Sequence, residues 1–240
     1  MPKKKDESAT FTIITVISEL IQLEEGIQTM NTIEEHKFAY YKFNVGCSNC
    51  TLSISLTPLT SGNPDLYLGF ETKELPTNKN YLFKSANSKG DFIQISPEGE
   101  FFYKTNLNSI KGQFIIGVYG DTPCTYSIIA TTSVNRILTI FAGMPTTIHH
   151  NNPKINQIIE YNHIGNDSFI ILISMQSGNA YTMANVCENS HDTNILSHIP
   201  TDDNAMWSSK NTNTPLSLTI ASDDSKFKKN GLYILSLIHI

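Results

Sequence analysis

Charge is scarce in this sequence. Asp, Glu, Lys and Arg make up 16% of the residues, against roughly a quarter in an average globular chain. The balance is a formal −5, and the lysines and arginines form no stripe. Recognition of nucleic acid by phosphate neutralisation is therefore not expected. The one cationic run, "PKKKDES" at Pro2–Ser8, sets three lysines beside two acids and reads as a solvated tail. Long apolar runs are also missing, and no stretch approaches the ~20 residues of a membrane-spanning helix. "FTIITVIS" is short, and Asp6 and Glu7 stand where a signal peptide carries its basic region. Cysteine is limited to Cys47, Cys50, Cys124 and Cys187, too few for a disulfide scaffold in a chain of 240 residues. No GxSxG, HExxH, P-loop or dinucleotide fingerprint occurs. Ser, His and Asp are present, but no arrangement singles out a triad, so catalysis is not expected.

What is present favours strands. Apolar residues reach 40%, enough for a packed core. Much of the remainder is Asn, Ser and Thr, which suit turns and sheets better than helices. Period-two alternation predicts strands at Phe38–Val45, Thr51–Leu59, Asp65–Phe70, Asp91–Ser96, Gly112–Gly120 and Cys124–Thr132. Turn chemistry separates them: "GCSNC", "SGNP", "LPTNKN", "SPEGE" and "YGDTPC". Short strands at this spacing suit an antiparallel sandwich. "ISELIQLEEGIQTM" at Ile17–Met30 is the one helix-like pattern, and it reads equally as a strand ending at Gly26.

The chain also resembles itself. "SGN" at Ser61–Asn63 returns at Ser177–Asn179. "LPTNKNYLFKS" at Leu75–Ser85 returns as "IPTDDNAMWSS" at Ile199–Ser209, with Phe83 matched by Trp207. "NCTLSISL" at Asn49–Leu56 corresponds to "NDSFIILI" at Asn166–Ile173, and "KGQFII" at Lys111–Ile116 to "NGLYIL" at Asn230–Leu235. The second copy carries an insertion around "CENSHD". The expected architecture is all-β, with two tandem antiparallel sandwich modules at 21–133 and 134–240, the second incomplete. "ATFTIITVIS" at Ala9–Ser18 resembles "CTYSIIATTS" at Cys124–Ser133, the last strand of the first module. Residues 1–20 are thus read as the remnant strand of a preceding module or as an N-terminal tail. The closing "LSLIHI" at Leu235–Ile240 coincides with one reading frame of the mosaic transposon end used in sequencing libraries. These six residues are expected to be an assembly artefact, with the gene continuing. A cut fragment would also account for the missing signal peptide.

"SGNPDLYL" at Ser61–Leu68, "GQFIIGVYG" and the closing "TYSI" strand together resemble the bacterial pre-peptidase C-terminal domain and its eukaryotic tandem relatives. The likeness covers Ile21–Ser133 well. It covers Val134–Leu235 less well, because "SGNAYTMANV" lacks the Pro-Asp-Leu-Tyr. The resemblance implies a jelly-roll-like sandwich without catalysis of its own. Such modules accompany secreted peptidases or form extracellular arrays, and some bind calcium or fibrous substrates.

Asp65 is the one calcium candidate. Ca²⁺ takes about six to eight oxygens from several groups, and Asp65 is the only acid in its stretch. It is expected instead to hold the turn into its strand by capping backbone N–H groups. No other cofactor is expected. "CSNC" falls in a turn, without the helix N-terminus that a redox motif uses, and it has no second ligand pair for zinc. Cys47, Cys50 and Cys124 could form a disulfide in more than one pairing, or remain thiols, with Cys187 left odd. Asn49 ("NCT") and Asn166 ("NDS") head glycosylation sequons in equivalent turns. His36, His149, His150, His163, His191, His198 and His239 show no metal-ligand spacing. Tyr41 and Tyr67 could form an outward stripe facing a ligand; core packing is the default for strand aromatics.

The expected function is a non-catalytic extracellular binding or adhesion module that contacts protein or glycan. The alternative is an accessory region of a secreted peptidase, serving folding or substrate contact. A weaker alternative is an intracellular scaffold.

Overall fold

The computed structural model describes residues 20–134, 137–148, 156–175, 178–187, 195–210 and 215–239. Ala9–Ser18 and the histidines at 149, 150 and 191 lie outside the described residues. The first half contains β1 (Ile21–Gln22), β2 (Thr29–Ile33), β3 (Phe38–Val45), β4 (Leu52–Pro58), β5 (Pro64–Phe70), β6 (Phe83–Ser85) and β7 (Asp91–Ile95). It continues with a short helix, α1 (Glu100–Thr105), then β8 (Gly112–Gly120) and β9 (Cys124–Thr132). The second half contains β10 (Ile137–Ile140), β11 (Gln157–Asn162), β12 (Phe169–Ile173), β13 (Ala180–Val186), a 3-10 turn at Ile195–His198, β14 (Trp207–Ser209), β15 (Leu216–Ile220) and β16 (Leu232–His239). The fold is all-β.

Two sheets enclose the first core. One has the order β1-β3-β8-β5-β6 and the other β2-β9-β4-β7. Alternation decides which side chains enter the core. From β3, Tyr41, Phe43 and Val45 turn inward, and from β8, Phe114, Ile116 and Val118 meet them. Leu52, Ile54 and Leu56 of β4 and Tyr126, Ile128 and Ala130 of β9 close the core from the other sheet. The helix-like pattern at Ile17–Met30 is not a helix where it is described. It supplies β1, a turn at Gly26 with φ 75°, and the start of β2. The "SPEGE" turn leads into α1, whose Phe101 is 1% exposed and packs on Phe70, Phe83 and Phe114.

The five-stranded sheet of the second half has the order β10-β11-β16-β13-β14. Step by step, its pairs are parallel, antiparallel, antiparallel and antiparallel. The first five-stranded sheet follows the same sequence of senses. β6 with Phe83 and β14 with Trp207 occupy the same place in the two orders. Opposite the second sheet stands a two-stranded one, β12-β15. Residues 235–239 extend β16, which pairs with both β11 and β13.

The halves touch. Ile129, on the outward side of β9, belongs to the second apolar core with Leu138, Ile159 and Tyr233. Thr139 N donates to Gly26 O at 2.8 Å, Gln28 Nε2 to Pro145 O at 2.9 Å, and Thr147 N to Thr57 Oγ1 at 3.1 Å.

Candidate functional site

The outer face of the first five-stranded sheet carries a continuous set of rings. Alternation along β3 sends Phe38 and Tyr40 to this face, while Tyr41 turns into the core. β8 contributes Tyr119 and β5 contributes Tyr67. Phe38 stacks on Tyr40 at 5.5 Å between centroids and meets Tyr119 at 4.9 Å and Tyr67 at 6.0 Å. Tyr67 meets Tyr81 at 5.7 Å, and His36 Nδ1 lies 2.8 Å from the Tyr119 hydroxyl. Phe38, Tyr40 and Tyr119 are half-buried and Tyr81 is exposed. Gly117 leaves room at the centre, where the backbone of Pro76 crosses and a Cβ would come within 2.8 Å of its oxygen.

Tyr41 follows the default of core packing, and the alternative of an outward stripe of Tyr41 with Tyr67 does not form. Tyr41 is fully buried. Its hydroxyl lies 2.6 Å from that of Tyr126 and accepts from Asn31 Nδ2 at 2.9 Å. The neighbouring letter of the same "YY" pair, Tyr40, faces outward. Tyr67 does lie on the outer face, but the rings around it leave only 6% of it exposed.

Asp65 stands on the same face of β5, one step from Tyr67. It accepts from Asn63 Nδ2 at 3.2 Å. Burial, with Asp91 and Asp121 nearby, pushes its carboxyl up to about 6, against relief from Lys84 and the Tyr67 hydroxyl. Burial and the carboxylates of Asp65 and Asp91 also push the Tyr67 hydroxyl up to about 12. The backbone capping expected of Asp65 is performed by Asp91. Asp91 Oδ2 accepts from Leu66 N at 3.0 Å, and Oδ1 accepts from Asn87 N at 2.8 Å and Ser85 Oγ at 2.6 Å. Burial raises the Asp91 carboxyl, and these hydrogen bonds oppose the rise. Asp91 opened a predicted strand and was not singled out from sequence. The signal available was an acid at a position where alternation demands an inward residue.

Asp91 and Asp121 are the carboxylates whose charge acts on Asp65. Among the described residues, no three His, Cys, Asp or Glu side chains converge as a metal group.

Cys47 and Cys50 form a disulfide with Cα atoms 5.8 Å apart. A bridge from either to Cys124 is corrected: Cys124 is a buried thiol. The reason is register. β9 runs antiparallel to β4, with Leu52 opposite Thr132 and Pro58 opposite Tyr126. Cys50 precedes one end of β4, and Cys124 lies past the other. Cys187 is buried at the end of β13, where its N–H donates to Leu232 O at 2.8 Å. Asn49 and Asn166 are both exposed, in the β3–β4 and β11–β12 turns. Asn49 also borders a pocket of about 310 Å³ with Pro97, Phe102 and Tyr103. His163 is buried against Phe169 at 4.7 Å, and its Nδ1 lies 3.4 Å from the Tyr161 hydroxyl.

The fold defines the chain as an all-β sandwich protein, on the strand pairing described above. No family model matches the chain, and no curated protein does. Among solved structures, it is similar to the pre-peptidase C-terminal domain of a collagenase from Bacillus anthracis, at 14% identity and a TM-score of 0.34. The match covers 49% of this chain and 100% of that one.

Proposed function

We propose that this protein is a non-catalytic binding module that holds an extended protein or glycan segment on the ring-bearing face of its first sheet. The observation that carries this reading is the set of half-buried or exposed rings of Phe38, Tyr40, Tyr81 and Tyr119 gathered around the buried Tyr67, with Asp65 and Lys84 beside it. Aromatic faces bind sugar rings and extended chains over apolar area, and nearby polar groups set orientation. The Cys47–Cys50 bridge and the exposed sequons at Asn49 and Asn166 support an extracellular or lumenal setting. The resemblance of "SGNPDLYL" and its companion strands to pre-peptidase C-terminal domains favours a second reading. In it the same face serves a secreted peptidase as an accessory surface for substrate.

The test is titration with gelatin, unfolded casein and soluble oligosaccharides of chitin and cellulose, followed by Tyr fluorescence and calorimetry. At least one probe should bind, and Phe38→Ala with Tyr119→Ala should weaken it at least tenfold while the melting transition persists. Binding indifferent to both substitutions would remove the face from the proposal. Casein should remain uncleaved; turnover blocked by an active-site inhibitor would overturn the non-catalytic reading.

A further inference from the structure

α1 interrupts an all-β fold, and its place in the second half is taken by turns. The β15–β16 connection that corresponds to it, residues 221–231, is described throughout and forms no helix. Phe101 anchors α1 in the first core. Lys104 ties down its far end, with Nζ 2.9 Å from Glu100 Oε1, 2.6 Å from Leu82 O and above the Phe83 ring. The two residues after Phe101 turn outward. Phe102 is 41% exposed and Tyr103 84% exposed. Their rings stand edge to face, 6.0 Å apart. Exposed rings gathered in one place mark a contact surface.

Both rings line a pocket of about 310 Å³, and Asn49 stands in its wall. Pro97 adds apolar surface, and Glu98 and Asn108 add polar groups. The volume is at the low end of ligand pockets, roughly 300–1,000 Å³, and suits one sugar residue. Asn49 is the acceptor of the sequon Asn49-Cys50-Thr51. Two constraints hold it in place. The Cys47–Cys50 bridge closes the turn around it. Ile110 N donates to Ser48 O at 3.4 Å, joining that turn to the segment after α1. A sugar on Asn49 Nδ2 therefore begins at the pocket wall, where the tether gives it a high effective concentration. A pyranose ring presents C–H groups to an aromatic face and hydroxyls to polar neighbours, and this pocket offers both. Asn166, in the matching turn, has no helix beside it on the 221–231 connection.

We infer that Asn49 carries an N-linked glycan whose innermost N-acetylglucosamine lies in this pocket against Phe102 and Tyr103. The inference rests on the lumenal setting read above. The donor is an oligosaccharide on a lipid diphosphate. The bond from Asn49 Nδ2 to C1 forms, the C1–O bond to the diphosphate breaks with its electron pair, and one amide proton passes to a base of the transferase.

The test is secretion of the full chain from a eukaryotic host behind an added leader. This imposes the lumenal setting and leaves the ring-bearing face of the first sheet untouched, so failure here is distinct from failure of the binding reading. Mass spectrometry should find Asn49 glycosylated. Peptide N-glycosidase acting on native protein should release that glycan at least tenfold faster after Phe102→Ser with Tyr103→Ser than before, with release at Asn166 unchanged. Both rings are exposed, so the substitutions spare the core, and circular dichroism checks the fold. The glycosylated chain should also melt above Asn49→Gln, and the gain should vanish in the ring variant. An unmodified Asn49 in the secreted chain overturns the inference. So does release at one rate in both chains, an equal acceleration at both sites, or a melting gain indifferent to the rings.

Discussion

At residue scale, the two aspartates of β5 and β7 do opposite things with the same side chain. Asp91 is buried but accepts four hydrogen bonds, two of them from backbone N–H groups. Removing the carboxylate leaves buried donors without a partner, which costs about 2–4 kcal/mol. Asp91→Ala should lower unfolding free energy by that amount in urea titration. Asp65 accepts from the Asn63 amide and gains relief from the Tyr67 hydroxyl, but receives no backbone N–H among the described residues, and its charged form is disfavoured by burial and by neighbouring carboxylates. Its folded value is raised from 3.8 to about 6, so the folded state holds its proton longer than the unfolded one. Below about pH 4 both states are protonated and there is no penalty. As pH rises from about 4 to about 6 the unfolded chain ionises first and stability falls, and above about 6 the loss is complete. Asp65→Asn should flatten this fall by about 1 kcal/mol, the face being partly open to water. Denaturation at pH 4 and pH 7 measures it. Asp91 titrates in the same direction and remains in the variant.

At the scale of elements, the two "SGN" turns show how one set of letters meets two backbone demands. At Gly62 a Cβ would run into the carbonyl of Pro123 and lie 2.6 Å from the Cβ of Cys124. The glycine is there so that the β4–β5 turn can lie against the β8–β9 turn. Gly178, in the second turn, instead adopts φ 74°, where only glycine is unstrained. Gly62→Ala should therefore destabilise by about 1–3 kcal/mol through overpacking. The melting temperature should fall without change in the circular dichroism of the folded state. α1 was not expected from sequence. Its six residues carry no long period, and Gly99 and Asn106 at its ends adopt positive φ values of 73° and 58° that a turn uses equally well.

At the scale of the molecule, the disulfide and the thiols make a countable prediction. Unfolded, unreduced protein should alkylate at two cysteines, Cys124 and Cys187, and at four only after reduction. Mass spectrometry of intact protein reads the number directly. Four alkylated cysteines without reductant would place the Cys47–Cys50 pair in a reducing compartment and favour the scaffold reading. Among the described residues, no helix is long and apolar enough to cross a membrane.

Alternation and turn residues alone determined the strands at Phe38–Val45, Gly112–Gly120 and Cys124–Thr132, because a half-buried strand writes its two faces into its letters with period two. The all-β class followed from the same pattern. Which face each strand turned inward was less legible. In "FAYYKFNV" the aromatics fall on both parities, so Tyr40 and Tyr41 could be told apart only once β8 supplied Phe114 and Ile116 on one side and Tyr119 on the other. Cysteine pairing was likewise undecided until the antiparallel register of β4 and β9 carried Cys124 to the far end from Cys50. Asp91 became the hub of a turn only because β7 lies beside β4 and close to Leu66 and Asn87. Local pattern is set by each residue and its near neighbours along the chain. Register, burial and the gathering of rings on one face depend on partners tens of residues away, and only tertiary packing brings them together.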